Sequence, residues 1–355
     1  MRATGRVDVI DGLRAIAVLA VLGDHGGFGF PASAAPAWTV CGARGVDLFF
    51  AISGFCLATP VLRGAHATGR LEFSYFRFLT RRLVRIAPPY LVALTAFALL
   101  SCTAFGLPTR AFGAGPLGLA DGVREYVREA LFLTDLSPAF NSSFWTLGIE
   151  MRWYVLFPLI VTLYWRSRRA FFALLAGCYL LYSLTPWGIS DVGTLPCFML
   201  GIVAADLHIA RRAAPRFAVP MALAAVAGAV LTQIAGTGID HGSPIWHVAA
   251  FSLIVASRTQ TFGRILRFEP LAYAGRASYA IYLVHQPILD RLLAAGVLPI
   301  LAMSLALASG FAFHAVVERA FLDPRFRRPA ERALDMAFDL ILPRRLTRTR
   351  VTTSS

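Results

Sequence analysis

Arg14 and His25 stand eleven residues apart in an apolar stretch near the N-terminus. On a helix, that spacing points both side chains within about 20° of one direction and separates them by ~16.5 Å along the axis. An arginine at one end of such a face offers a planar fork to phosphate, and a neutral imidazole at the other can take a proton from a hydroxyl. Plainer uses fit the same residues: Arg14 as an interfacial anchor and His25 as a cap at the far helix end. Asp24 points about 100° away from His25, which suits a helix-end residue better than a partner.

The run Gly45-Val-Asp-Leu-Phe-Phe-Ala-Ile-Ser-Gly-Phe places Asp47 and Ser53 in or at the mouth of a second apolar stretch. Asp47 can orient a histidine, bind a substrate hydroxyl or cap the start of a helix. Gly54 in the same run suits close helix packing. Farther on, Arg82 and Arg85 are three apart, so two guanidiniums on one helical turn can clamp an oxyanion, although short basic loops are common beside membranes. Pro88 and Pro89 are expected to open the next span. The segment from Asn141 through Trp145 to Tyr154 carries Glu150 into an apolar run, with Tyr154 on the same face at i+4 and Arg152 pointing elsewhere. A carboxylate there suggests catalysis or proton handling. His285 lies mid-run with Ser278, Tyr282 and Gln286 nearby, and a helix-to-helix hydrogen bond is the expected role. Glu318 and Arg319 are expected to fix the end of the last span at an interface.

These residues need elements to hold them, and the composition says which. With 57% of residues hydrophobic and only 15% charged, the chain is too apolar for a water-soluble domain of this length. Stretches near the roughly 20 residues that cross a bilayer as a helix recur almost throughout. We expect spans at 10–30, 45–62, 87–105, 146–165, 170–187, 194–208, 217–236, 244–257, 271–296 and 298–317. The fold class is therefore an all-α polytopic transmembrane bundle of about ten spans, set in the cell inner (plasma) membrane. The net charge of +14 comes from arginines between apolar runs, not from one basic surface, so nucleic acid is not the expected partner. Arginines alternate with the spans in the register that puts both termini in the cytoplasm.

The opening segment lacks a convincing cleavage site and reads as a retained span. Between 106 and 143, Val123, Val127, Leu131 and Phe132 fall at helical spacing, as in an amphipathic helix on the outer surface. The five cysteines form no Cys-x-x-Cys pair and imply no metal site. Residues 1–340 read as one transmembrane domain and 341–355 as a basic disordered tail.

In order along the chain stand Asp11-Gly-Leu-Arg14 with His25, Gly45-Val-Asp-Leu-Phe-Phe with Ser53-Gly-Phe, Arg82-x-x-Arg85, Trp145-Thr-Leu with Glu150, Gly275-Arg-x-Ser-Tyr with Tyr282-Leu-x-His285-x-Pro287, and Val317-Glu-Arg. The series resembles the acyltransferase-3 family of multispan membrane O-acyltransferases over essentially the whole chain. Two places depart from its pattern: the Trp segment has Thr146 where serine is usual and Ile149 where valine often precedes Glu150, and Asp24 precedes His25 where an aromatic is usual. The resemblance implies ten helices with cytoplasmic termini, an acyl-CoA co-substrate, with acetyl-CoA the expected form, and no bound cofactor. It implies a hydroxyl acceptor on a cell-envelope glycan or lipid-linked sugar, or alternatively a macrolide-type metabolite.

The expected mechanism has Arg14, Arg82 and Arg85 on the donor phosphates and His25, oriented by Glu150 or Asp47, as the base. Ser53, Trp145, Tyr154 and His285 are expected to line the site. One rival class is a proton-coupled transporter or flippase with Glu150 and His25 as a relay, which calls for inverted repeats that the sequence does not display; another is a non-catalytic membrane scaffold, for which a line of buried His, Glu and Arg would be costly.

Overall fold

The computed structural model describes residues 8–27, 42–101, 119–134, 138–185, 190–210, 217–234, 243–341 and 349–352. They form helices joined by short turns, and Arg70–Phe73 pairs with Thr349–Thr352 in a two-stranded sheet that includes part of the basic tail. The helices are α1 (Asp8–Gly27), α2 (Gly45–Thr68), α3 (Tyr75–Ser101), α4 (Leu119–Ala130), α5 (Trp145–Arg166), α6 (Arg168–Leu184) and α7 (Ser190–Ile209). They continue with α8 (Ala218–Ile234), α9 (Pro244–Ala256), α10 (Gln260–Leu266), α11 (Glu269–Arg276), α12 (Ser278–Ala294), α13 (Pro299–Phe313) and α14 (Pro324–Ile341).

Among the described residues, five segments are long and apolar enough to cross a membrane: Gly45–Thr68, Tyr75–Ser101, Ser142–Arg166, Asp191–Ile209 and Pro299–Leu322. Two shorter helices, Ala218–Thr232 and Pro244–Ala256, are apolar as well. α1 has span length but carries Asp8, Asp11, Arg14 and Asp24, so charge sets it apart from those five.

Several boundaries differ from expectation. The expected span 271–296 is two helices separated at Ala277, whose backbone N–H closes the end of α11 by bonding the Tyr273 carbonyl. Pro88 and Pro89 lie in the middle of α3, which starts thirteen residues earlier, so Arg82 and Arg85 belong to the helix and not to a preceding loop. Proline removes one backbone donor but does not end a helix whose apolar face is held on both sides of it. α4 is the expected amphipathic helix with Val123 and Val127 exposed, but Phe132 lies beyond it and is buried, stacked on Tyr90 at 4.6 Å. α14 falls on residues that apolar run length alone could not reveal, because its short apolar face alternates with arginine. The expected span ends at 28–30 and 102–105, together with Cys41 and Cys102, lie outside the described residues.

The chain divides into two compact units. The first comprises 1–72, 159–278 and 350–355. In it, α1 packs against α2, α10 and α11, and α2 packs along α7. Two reciprocal glycine contacts set the spacing of α2 and α7: a Cβ on Gly54 would stand 2.0 Å from the Phe198 carbonyl oxygen, and one on Gly201 would stand 2.1 Å from that of Ala51. Gly275 fits so tightly against Asp11 that no larger residue has room. At the ends of α2, α5, α6 and α7, Asp206 gathers His66 at 2.6 Å, Tyr164 at 2.9 Å and Arg168 at 3.0 Å. Arg168 also lies over the Tyr164 ring at 3.3 Å from its centroid.

The second unit comprises 73–158 and 279–349. Here α3 packs against α4 and α14. Tyr90 of α3 is fully buried and donates to the Glu129 carbonyl at 2.8 Å. The Glu129 side chain accepts from the Ala139 and Phe140 amides, which folds the chain back toward α5. α13 runs on through a π-helical turn, His314–Glu318, into Arg319–Leu322.

The glycine contacts yield a paired expectation. Gly201→Ala should cost about 1–3 kcal/mol by overpacking α2 against α7. Gly64→Ala, where a methyl meets nothing within 4 Å, should be neutral or stabilise by roughly 0.5–1 kcal/mol. Thermal unfolding of the two variants in detergent measures both, and equal midpoints would show that Gly201 does not set the helix spacing.

Candidate active site

In the first unit, α1 is unbroken from Asp8 to Gly27, so Arg14 and His25 do share the face that their spacing predicts. His25 is half-buried. Arg14 is held on both sides: its guanidinium bonds Asp11 Oδ1 at 3.1 Å and lies 3.5 Å from Cys56 Sγ. Asp11 is 2% exposed, so this ion pair is largely withdrawn from solvent. Asp11 enters the sequence pattern only as part of a motif, although its i, i+3 spacing to Arg14 signals such a pair. Asp47, in the first turn of α2, is buried and 3.7 Å from the Arg44 guanidinium. Its carbonyl accepts from Cys197 Sγ at 2.9 Å. Ser53, half-buried, lies further along the same helix, less than two turns on.

In the second unit, Glu150 and Tyr154 meet as their i, i+4 spacing requires, the phenol donating to the carboxylate at 2.5 Å. The charges of Glu150, Arg82 and Arg85 all act on Tyr154, so the two arginines and the carboxylate form one electrostatic neighbourhood. Arg82 lies over the Phe78 ring at 5.8 Å, and its Nε is buried without a hydrogen-bond partner among the described residues. Tyr279 of α12 donates to the Ile86 carbonyl at 2.8 Å, tying α12 to α3 beside its prolines. Trp145, half-buried, opens α5 one turn before Glu150.

His285 is fully buried, and its Nδ1 donates to the Ile281 and Tyr282 carbonyls of its own helix at 3.1 and 2.9 Å. Those two bonds lie within α12, where the ring folds back along the preceding turn. Its neighbours make helix-to-helix bonds. Tyr282 donates to the Ser143 carbonyl at 2.9 Å and shares a 2.6 Å hydrogen bond with Thr146. Ser143 donates to Gln286, and Asn141 Nδ2 donates to the Leu283 carbonyl at 2.8 Å.

Glu318 requires a correction. It is buried in the π-helical turn and bonds His314 Nδ1 at 2.6 Å, so it does not fix a helix end at an interface. A π turn widens the helix by one residue, and such turns are frequent at functional sites. The His314–Glu318 spacing of four was the available sequence signal. Glu318 and Glu150 both act electrostatically on Tyr279, which places this pair near the Glu150–Tyr154 pair.

The buried His314–Glu318 bond can be measured. In a double-mutant cycle of His314→Phe and Glu318→Gln, we expect a coupling of about 1–3 kcal/mol in unfolding free energy. Additive effects would show that the two side chains stabilise the π turn independently.

The arrangement combines, within one helical chain, cationic side chains suited to phosphate and imidazole and carboxylate groups suited to proton transfer. Residues 7–317 match the family model described as an acyltransferase domain, Acyl_transf_3. The chain is 24% identical over 327 residues to the O-acetyltransferase OatA of Staphylococcus aureus, covering 79% of this chain and 50% of that one. It is 26% identical over 322 residues to the peptidoglycan O-acetyltransferase OatA of Listeria monocytogenes, covering 80% and 49%. With BcsY of Komagataeibacter xylinus it shares 27% identity over 312 residues, covering 78% and 72%. The chain thus spans about half the length of the OatA proteins it matches. No solved structure matches it. Because the family match runs through nearly every helix described above, the chain belongs to the acyltransferase-3 family.

Proposed function

We propose that this membrane protein transfers an acyl group, acetyl in the simplest case, from acyl-CoA to a hydroxyl of a cell-envelope glycan or lipid-linked sugar. The observation that carries the donor assignment is Arg82, whose buried Nε–H has no partner among the described residues. A buried donor left unsatisfied costs about 1–3 kcal/mol, and a phosphate oxygen is the acceptor that a guanidinium fork fits best. Arg85, one turn on, adds the second cation. Arg14 joins them in this reading as a donor-binding residue whose fork Asp11 keeps in one orientation.

His25 is the general base. It takes the proton of the acceptor hydroxyl as that oxygen attacks the thioester carbon. The carbon–sulfur bond then breaks, and the leaving thiolate receives the proton as free coenzyme A thiol. Asp47 or Glu150 orients the imidazole, and Ser53, Trp145, Tyr154 and His285 line the path of the reactants. The unbroken α1 supports separate sites for the charged and reactive ends of a long donor, ~16.5 Å apart.

Ten spans, with both termini in the cytoplasm of a plasma-membrane protein, are supported by the alternation of arginine-rich and arginine-poor connections along the sequence. The donor is then reached from the arginine-rich side. The glycan acceptor is supported by the OatA relatives, one of which is a peptidoglycan O-acetyltransferase.

Proteoliposomes supplied with labelled acetyl-CoA and an acceptor glycan test the reading through free thiol release and labelled product. His25→Ala should lower turnover by about 10²–10⁴-fold with little change in donor affinity. Arg82→Gln combined with Arg85→Gln should raise the donor KM by roughly 10–100-fold, the worth of charge-assisted hydrogen bonds. Wild-type transfer by the first variant would remove His25 from the chemistry. An unchanged KM in the second would remove the phosphate clamp.

A further inference from the structure

We propose that Asn141 is a positioning residue whose side-chain amide replaces the backbone N–H that Pro287 removes from α12, fixing the Glu150-bearing segment against that helix. In an α-helix the N–H of residue 287 would donate to the carbonyl of residue 283. Pro287 has no such donor, so the Leu283 carbonyl loses its intrahelical partner in a buried stretch where water cannot substitute. Asn141 Nδ2 donates to that carbonyl at 2.8 Å.

The same side chain works in the other direction as well. Its Oδ1 accepts the Ser143 amide at 3.0 Å, capping the short 3-10 turn Ser142–Phe144 that leads directly into α5. Asn141 is 2% exposed, so its amide links two backbones that both need it. The bonds from Tyr282 to the Ser143 carbonyl and from Ser143 to Gln286 run beside it and cannot replace it, because neither reaches Leu283. α5 is continuous from Trp145, so the register set at Asn141 is transmitted through less than three turns to Glu150 and Tyr154.

The inference rests on the reading of Glu150 as a participant in acyl transfer. The test uses the full-length protein in nanodiscs, with Asn141→Asp, Pro287→Ala and the double variant assayed for acyl transfer from acetyl-CoA and for thermal midpoint. Aspartate keeps the oxygen that caps Ser143 but, as a carboxylate, has no N–H for Leu283. Asn141→Asp should lower kcat by about tenfold or more, since small misplacements of reacting groups are costly, with the donor KM within about threefold. Its midpoint should fall as well.

Adding Pro287→Ala supplies a backbone N–H for Leu283, so the midpoint should return to that of Pro287→Ala alone. Turnover should stay low, because the tether to Asn141 is not remade. A kcat within about twofold of wild type for Asn141→Asp would overturn the positioning role. So would recovery of kcat together with the midpoint, which would mark a bond that is only structural. A double variant with no midpoint recovery would overturn the claim that the amide substitutes for the proline's missing donor. Glu150→Gln, assayed alongside, separates the two readings: undiminished turnover sinks the role of Glu150 and leaves the melting comparison to decide that of Asn141.

Discussion

A backbone carbonyl inside an apolar bundle must find its hydrogen bond within the protein, because neither lipid nor a packed core supplies one. Proline makes that requirement acute, and α2, α3, α5, α7 and α12 each contain at least one. At Pro287 the requirement is met by Asn141, more than a hundred residues earlier in the chain. The consequence is architectural. A local defect in α12 becomes a specific attachment point for the turn that starts α5, the helix that carries Glu150.

Buried charge is managed by the same logic. Asp11 faces Arg14, Asp47 faces Arg44, and Glu318 faces His314, each pair three or four residues apart on one helical face. Removing one member of such a pair leaves the other uncompensated, which costs more than the pair itself contributes. For Arg14 the pairing also has a functional side, since a guanidinium already held by a carboxylate loses less side-chain entropy when it meets an anion. Arg82 differs: part of its hydrogen-bonding capacity is buried and unanswered among the described residues, which is why the donor assignment rests on it.

Small residues supply the third device. Gly54 and Gly201 let α2 and α7 approach backbone to backbone, and Gly310 does the same for α13 against Ile281 of α12. Helices surrounded by lipid gain little from burying apolar area against one another, so van der Waals fit at such contacts carries much of the association. Helix spacing then sets how precisely side chains such as Asp47 and Ser53 are held.

How much of this was legible in the sequence depends on the range of the interaction. The helical class, the shared face of Arg14 and His25, the Glu150–Tyr154 pair and the packing role of Gly54 were readable, because helical periodicity places residues three, four or eleven apart without reference to the rest of the chain. The break at Ala277, the burial of Phe132 and the mid-helix position of Pro88 and Pro89 were not, since each depends on packing that overrides local propensity. The interhelical bonds that Asn141, Ser143 and Tyr282 make around His285 were not legible either, since they join segments more than a hundred residues apart. Sequence by itself determined which residues lie on which helical face and that the chain is an apolar helical protein with charged groups inside it. Only the tertiary structure decided which carbonyl Asn141 answers and that Glu318 lies buried against His314 in a π turn, because those outcomes depend on contacts between distant segments and on a local departure from ideal helix geometry.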